Sequence, residues 1–568
     1  MALRAGFVTR AIAIMHGRHY VSGMVAVRRG VFFLLVLLLA VGLVALVARA
    51  MAAGGFTVWE WLTLLAFAGT APWTALCGAN AMIGLALLLG SRDAPRAVLP
   101  ALARVRPDLP AGHTVIAVCI RNEDMAEVLP PLRRLICGLA EAKAEALFTL
   151  WFLSDTQDMA AAIAEEAAIR TIPGAHYRRR ARNTGFKAGN VMDFLDRDAG
   201  EAEFMLCLDA DSEMTASAVL RLVAVMEADP KLAIVQQLIV GRPASAAFPR
   251  LFQFGMRAGM RAWATGQAWW QAEQGPYWGH NAIIRIAPFR QHARLEPLPD
   301  GSPILSHDQV EATRLTHAGW KVMALPAEDG SMEGNPPALP EFMARDMRWG
   351  AGNMQYWALL KLPKLTWLGR WQLVQAMLLF AGTPLWTLTL VFAVLNAATG
   401  GGAGTSGPTL FAAMLACWAC IHAPKLCGYL EVMAKPALAA RYGGRGAFLR
   451  GALAELVFTT LLDPISTFNK ALFLAVLPFR RLRGWAPQNR ADRGVGWGDA
   501  ARLLWPHTLF GALCFALVPI AAWAWLAPWA LGLVVAIPFC VVTSAPGFSA
   551  WLRAKRVAAT PEELGAAG

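Results

Sequence analysis

The sequence predicts an α/β domain with a parallel sheet, inserted into a multi-span α-helical membrane domain. Three observations carry this. The 568 residues are 56% hydrophobic and only 16% charged, with a mean hydropathy of +0.43, well above ordinary soluble usage. Apolar and polar stretches alternate in long blocks, so part of the chain belongs to water. Within the polar block one plan recurs: a buried-type strand ends in polar residues and a helical pattern follows.

Residues 1–30 contain Arg4, Arg10, Arg18, Arg28 and Arg29 and no acid, and they lead into "VFFLLVLLLAVGLVALVA". That run is long enough to cross a bilayer, and its basic flank reads as cytoplasmic. The "ARA" at 48–50 resembles a signal-peptidase site. Against cleavage, the apolar run exceeds the ~7–15 residues of a signal core, and a second span follows closely. A second apolar block, 57–90, carries Glu60 and returns the chain to the side of Arg92 and Arg96, so 31–90 forms two transmembrane helices. Residues 91–365 are then a cytoplasmic domain, and 366–550 a transmembrane and interfacial helical domain of about 4–6 spans. Residues 551–568, opening on "RAKR" at 553–556, form a cytoplasmic tail.

Within the second helical domain the apolar blocks fall at 369–397, 408–430, 503–525 and 528–548. The "TGGGAGTSGP" between the first two has glycines but no lysine, which predicts a flexible external linker rather than a phosphate loop. Block 447–478 holds Glu455, Asp463, Pro464 and Lys470. With "RRLR" at 480–483 also cytoplasmic, it must cross an even number of times, as a hairpin broken near Pro464 or as interfacial and re-entrant helices. Asp463 and Lys470 either pair or line a polar pathway. Nine cysteines without regular spacing in the polar part do not suggest a disulfide framework. The one C-x-x-C, Cys417 to Cys420, lies in an apolar run and reads as buried small hydrophobes. The net charge of +13 is accounted for by cytoplasmic Lys and Arg facing anionic lipid, with the bilayer rather than nucleic acid as partner.

In the polar block, "HTVIAVCIRNED" is a strand ending at Asn122 and Glu123, "ALFTLWFLSD" one ending at Asp155 before an alanine-rich helix 157–170, and "FMLCLDADSEM" one ending at Asp209 and Asp211. Such units make a parallel sheet with right-handed crossovers, whose ligand sits outside the carboxyl ends of the strands. Two carboxylates there suit magnesium or manganese carrying a diphosphate, although a turn or helix cap also uses such acids. In "RRRARNTGFKAGNVMDF" Lys187 lies on a loop that opens a helix, a place to meet phosphate or simply a solvated basic loop. "GPYWGHNAIIR" offers Trp278, His280 and Asn281 for stacking on and hydrogen bonding to a sugar, against the alternative of a packed turn. Asp308 in "ILSHDQVEATRLTHAGW" starts a helix, where capping alone would explain it. "RDMRWGAGNMQYW" presents Arg345, Arg348 and Trp349 beside the next span, where a solvated basic face is the competing account.

Taken in order, Asp155, Lys187, Asp-Ala-Asp, "YWGHNA", "SHD" and "RDMRW" resemble the processive, membrane-integrated family-2 glycosyltransferases such as cellulose and hyaluronan synthases. "LCLDADS", "GPYWGHNAIIR", "ILSHD" with the following "VEA", and "RW..GN.Q" resemble the subfamily that makes osmoregulated periplasmic glucans; "GWAPQNR" matches it more loosely. The resemblance implies that 91–365 is a Rossmann-like GT-A domain. It further implies that Asn122, Glu123 and Asp155 bind the uridine end of UDP-glucose, and that Lys187, Arg345 and Arg348 border the diphosphate. Asp209 and Asp211 would hold nucleotide and Mg2+ or Mn2+, and Asp308 would be the catalytic base. Trp278, Gly279, His280, His307 and Trp349 would meet the growing glucan acceptor. Arg345 stands where the cellulose-type motif has Gln, and Ser306, His307 and Asp308 stand where it has Thr-Glu-Asp, which speaks against a cellulose product. The implied enzyme is an inverting, processive synthase in a bacterial inner membrane, building a β-1,2 backbone and exporting it. Acyl carrier protein and a periplasmic glucan-processing protein come with the resemblance as partners, and no residue is assigned to either. A cellulose-like synthase, a single-sugar transferase to a lipid carrier, and a transporter or receptor with a degenerate nucleotide-sugar domain are the alternatives; the intact acids count against the last.

Overall fold

The computed structural model describes residues 2–479 and 492–565, with side chains from residue 23 onward. "RRLR", "GWAPQNR" and the side chains of Arg4, Arg10 and Arg18 lie outside the described residues. The strands β1 (Thr114–Ile120), β2 (Phe148–Ser154), β3 (His176–Arg179) and β4 (Phe204–Asp209) form one half of the main sheet. Next come β5 (Glu213–Met214), β6 (Leu232–Gln237), β7 (Val240–Gly241), β8 (Ala282–Arg285), β9 (Lys321–Leu325) and β10 (Ser331–Glu333). The main sheet runs β3-β2-β1-β4-β8-β6-β9, and β5, β10 and β7 make a small second sheet. β6 is buried at every position and β4 at all but Asp209, because helices cover both faces, as continuous apolar runs require.

From β1 the chain moves outward to β2 and β3, then returns to pair β4 with the other side of β1. The order reverses there, so the carboxyl ends of β1 and β4 border the crevice that such a reversal opens. The expected all-parallel sheet is corrected at β8, which is antiparallel to both β4 and β6. The turn before β8 lies against the carboxyl end of β4, where the Gly279 carbonyl accepts from Lys187. The chain therefore enters β8 from that edge and runs backward.

Five helices among the described residues are long and apolar enough to cross a membrane, and up to seven spans result if each bent helix pair counts as one. Gly407–Ile421 and Ala423–Ala434 meet at 73°, and Ile520–Val534 and Ala536–Ser544 at 55°. A hairpin broken at Pro464 does not occur: Arg445–Val476 is one helix with Pro464 inside it. Its polar residues find partners on other segments, so no break is needed. Glu455 accepts from Lys425 at 2.5 Å and also from Tyr429. Asp463 and Lys470 do not pair with each other: Asp463 lies 3.0 Å from His422, and Lys470 lies 2.9 Å from Asp346. A Cβ on Gly255 would meet Glu455. Both Glu455 and Lys470 therefore touch the α/β domain, and this helix runs along it for ~22 Å.

The glycine-rich segment is tied down rather than free. Ser406 N–H donates to Ala50 O at 2.9 Å, and Thr405 Oγ1 to Glu60 Oε1 at 3.3 Å. Thr57 Oγ1 donates to Asn396 Oδ1 at 2.7 Å. A Cβ on Gly54 would lie 2.8 Å from the Gly404 Cα, so the backbones meet where only glycine fits.

The two halves of the molecule join along the helix Ala247–Gln271. A Cβ on Gly84 would lie 1.9 Å from Ala262 O, one on Gly266 2.0 Å from Asn80 O, and one on Gly428 2.2 Å from Ala258 O. These are close backbone crossings of the small-residue kind. The same helix carries Arg250, Arg257 and Arg261, all buried. Arg257 donates to Glu562 at 2.6 and 2.8 Å and to Glu328 at 3.1 Å. Arg261 donates to Glu431 at 2.6 Å and lies 3.2 Å from Glu328. Arg250 donates to Glu563 at 2.6 Å, so the C-terminal segment docks on this helix. Burial alone would raise the Glu328 carboxyl, but Arg261, Arg257 and Arg441 outweigh it and hold it below the usual range. Removing one member of such a buried set leaves bare charge, at a cost of about 3–5 kcal/mol. Glu328→Ala should therefore lower the melting temperature of the detergent-solubilised protein sharply, whereas Glu166→Ala, from an exposed pair, should leave it nearly unchanged.

Candidate active site

At the carboxyl end of β1, Asn122 takes a left-handed φ of 55°, and its N–H donates to Thr156 Oγ1 at 2.7 Å. Thr156 and Ser154 both donate to the buried Glu165, at 2.5 and 2.8 Å. This pins the loop after β2, on which Asp155 sits. Asp155 is buried, and both its oxygens are taken. Arg180 Nε and Nη2 donate to Oδ1 and Oδ2 at 2.8 Å each, and Asn190 Nδ2 donates to Oδ1 at 3.0 Å. Burial pushes its carboxyl up despite Arg180. Asp155 thus ties the arginine-rich loop to β2 and does not present a free carboxylate to the crevice.

Gly185 and Phe186, with φ of 70° and 50°, turn the chain into the helix Phe186–Arg197. The turn aims Lys187 at the end of β4, where its ammonium donates to Asp209 and, at 2.8 Å, to the Gly279 carbonyl. Burial opposes the charge, but Asp209 outweighs it and holds the Lys187 pKa well above its ordinary value. Asp209 Oδ2 lies 4.0 Å from His280 Nε2, which is 3.0 Å from Glu333 Oε2. Burial, and after it the like charges of Asp211 and Asp209, push the Glu333 carboxyl up against the pull of His280 and Arg345. Glu333 escaped the sequence reading; the Asp-Gly at 329–330 marks a turn, but nothing in linear spacing relates Glu333 to Asp211.

The 277–281 loop is clamped from both sides. Gln236 on β6 accepts from Trp278 N–H at 2.7 Å and donates to His280 O at 2.9 Å. Asn281, at φ 48°, donates to Ser331 Oγ at 3.0 Å and Met332 O at 3.2 Å. Gly279, at φ 84°, is pressed against Asp308: a Cβ there would lie 2.9 Å from the Asp308 Cγ. One residue therefore separates the Lys187–Asp209 pair from the Asp308 carboxylate.

Asp308 is the first residue of the helix Asp308–His317. His307 Nδ1 lies 3.1 Å from Asp308 Oδ1 and 3.0 Å from Glu311 Oε2. Burial alone would lower the His307 pKa, yet Glu311 and Asp308 outweigh it and push it up to about 9. Glu311 was within reach of sequence reasoning, since i,i+4 residues share a helix face. Arg345 stacks on Trp349 at 4.6 Å, with Phe252 and Phe342 each at 5.5 Å, and burial lowers its pKa. Trp349 stays about half exposed, and Arg348 is partly buried on the same helix.

A hollow of about 990 Å³ does not open over Asp209 and Asp211; it lies between the 178–185 loop and residues 293–304 and reaches the His307–Asp308–Glu311 cluster at Glu311. Arg178 pairs there with Asp193 and Asp198, and Arg294 with Asp196. Those pairs neutralise Arg178 and Arg294 within the hollow, whose wall also carries Arg179 and Arg182.

Family models for glycosyl transferase family 2 and glycosyl transferase family group 2 match residues 115–292 and 204–425. The chain is 30% identical over 545 residues to glucans biosynthesis glucosyltransferase H of Vibrio cholerae serotype O1, covering 90% of this chain and 74% of that protein. For the proteins of the same name from Xylella fastidiosa and Xanthomonas campestris pv. campestris, identity is 31% and 32%, with 90% of this chain and 84% and 83% of theirs covered. Among solved structures, a mannosyltransferase from Pyrobaculum calidifontis in complex with GDP-Man and Mn2+ aligns at 16% identity and a TM-score of 0.40, covering 62% of this chain and 98% of that one.

Gly279→Ala should place a methyl group inside contact distance of Asp308 at a backbone angle that disfavours side chains, with a strain of about 1–2 kcal/mol. The expected outcome is a fall in kcat of roughly tenfold or more, read by transfer assay, with the melting temperature little changed.

Proposed function

This chain belongs to the glucans biosynthesis glucosyltransferase H family of family-2 glycosyltransferases, and from that premise we propose that it is an inverting, processive UDP-glucose-dependent synthase of a β-1,2-linked glucan. The observation that carries this reading is Gly279. Its carbonyl is held by the ammonium beside Asp209, and its α-carbon abuts Asp308. Groups suited to a leaving diphosphate and to an attacking hydroxyl thus face each other across one residue.

In this mechanism Asp308 takes the proton from an acceptor hydroxyl as that oxygen attacks the anomeric carbon on the face opposite the diphosphate. One displacement turns an α-linked donor into a β-linked product. Lys187, held charged by Asp209, supplies positive charge where the leaving group becomes more anionic. Asp155, with both oxygens on Arg180 and Asn190, acts on the uridine pocket by fixing its wall, next to Asn122 and Glu123. Trp278, His280, His307 and Trp349 border the acceptor side, with Arg345 and Arg348 toward the diphosphate. Asp209 and Asp211 bring two hard oxygen-bearing side chains to the end of β4, with Glu333 near enough to feel both charges, and such donors suit Mg2+ or Mn2+. Asp209 and Asp211 would hold the ion, which supplies Lewis-acid neutralisation of the diphosphate.

Residues 91–365 and both termini are placed on the cytoplasmic side of a bacterial inner membrane, and the helices of 31–90 and 366–550 in or along the bilayer, from the basic flanks of the spans. Export of a hydrophilic polymer needs a polar lining through the apolar part. Asp463, about half exposed at 51% beside His422, suits such a lining. Acyl carrier protein and a periplasmic processing protein stay as partners by family likeness alone.

Loss of a general base typically costs about 10²–10⁴-fold. Asp308→Asn should lower glucose transfer by that order while UDP binding, followed by titration calorimetry, is retained; normal polymerisation by this variant would refute the base. Purified protein in sealed vesicles with UDP-glucose and magnesium should enclose a polymer whose linkage analysis gives β-1,2 bonds.

A further inference from the structure

The mechanism leaves the buried carboxyl of Glu311 without a task. Glu311 is 3% exposed, one turn along the helix from His307, and its Oε2 lies 3.0 Å from His307 Nδ1. The same nitrogen lies 3.1 Å from Asp308 Oδ1. Two carboxylates thus converge on one imidazole N–H. The ring nitrogen and one oxygen of each carboxyl lie within 4.8 Å of one another, and two acids facing one imidazole favour its charged form.

We propose that Glu311 is a positioning residue for the transfer reaction: it holds His307 as an imidazolium, and the imidazolium N–H orients the Asp308 carboxylate toward the acceptor hydroxyl. This rests on the assignment of Asp308 as the base. An imidazolium paired with Asp308 alone would aim the carboxylate but weaken it as a proton acceptor. The second acid offsets that charge and leaves the trio with a net negative charge, so Asp308 is both aimed and basic. Gly279 completes the arrangement by pressing on the Asp308 carboxyl group from the other side, so the carboxylate is held between a donor and a wall.

The groups facing His307 are few. Lys187 opposes its charge weakly after the two acids. The Tyr356 hydroxyl donates to Ser306 O at 2.9 Å. Burial pushes the Tyr277 and Tyr356 hydroxyls up, with Cys207 and then Glu311 and Asp308 adding to it at Tyr277 and Asp308 at Tyr356, so both stay neutral through the working range. The Cys207 thiol donates to the Gly279 carbonyl and is pulled down to about 7, chiefly by its hydrogen bond with Cys119, well below the limb assigned to His307; of these groups His307 is the one whose charge changes near 9. Its pKa is raised from 6.5 to about 9. The imidazolium is present at neutral pH and is lost as pH rises through that value. Without Glu311 the loss begins nearer the ordinary imidazole range.

The test is the pH dependence of kcat, from roughly pH 6 to 10, on the full chain in detergent or vesicles. Wild type, Glu311→Gln, Glu311→Asp and His307→Gln are compared. In the wild type the alkaline fall should centre near 9. Glu311→Gln should move it down by at least about one unit, a loss of up to ~10-fold at pH values between the two limbs, with the donor KM within about twofold. Glu311→Asp should restore part of the shift, which a packing role would not do. A Glu311→Gln profile lowered equally at every pH, with the limb unmoved, overturns the proposal. Should that variant fail to fold, His307→Gln still decides: its alkaline limb must vanish, and a wild-type limb there overturns the proposal equally. Full transfer by Asp308→Asn would instead remove the base assignment itself, a failure distinct from an unmoved limb.

Discussion

The structure depends on one buried seam: three arginines of the Ala247–Gln271 helix set against four acids from three other places in the chain, Glu328, Glu431 and the adjacent Glu562 and Glu563. That helix belongs to the α/β domain by sequence, yet it is packed against apolar helices through glycine and alanine contacts that leave no room for side chains. Shape fixes the distance between the halves, and charge fixes their register. A buried ion pair adds little over a well-packed apolar contact, but its partners cannot be exchanged without stranding a charge. The seam therefore selects one docking geometry more than it adds stability.

That geometry reaches the chemistry directly. The helix leads without a crossover into the loop holding Trp278, Gly279 and His280, and the loop's position against β4 and Asp308 follows from where the helix ends. On the other side, Lys470 meets Asp346 on the helix that carries Arg345 and Trp349. Each side of the crevice is thus anchored in the apolar part. For a proposed polymerase whose product must leave through that part, the acceptor-side residues and the exit share a single mechanical frame.

Legibility in the sequence followed the range of the interactions. The strand ends were readable because a buried strand is a continuous apolar run and its polar terminus is local; Asp209 and Asp211 emerged that way, and Lys187 from the glycine-bearing loop that opens a helix. The antiparallel β8 was not readable, because direction depends on which edge of the sheet the chain re-enters. Asp155 was correctly placed but its partners were not, since Arg180 and Asn190 come from a different strand and helix. Glu455, Asp463 and Lys470 looked like signs of a broken segment, because their neutralising partners are far away in sequence. Glu333 and Gln236 carry no local signature; Glu311 had one in its spacing from His307.

The Gly54–Gly404 contact and the Thr57–Asn396 hydrogen bond lie at the end of the apolar helices away from the α/β domain. Asn80, by contrast, meets the domain, and the two ends of that helix, Val58–Gly90, are ~50 Å apart. The other end is held as tightly, since Gly84 and Asn80 cross the backbone of the helix that leads into the 277–281 loop. A helix pinned at both ends is a strut: it carries the spacing of the distant glycine contact to the foot of that loop, so a side chain added at Gly54 or Gly404 would be felt where Gly279 meets Asp308.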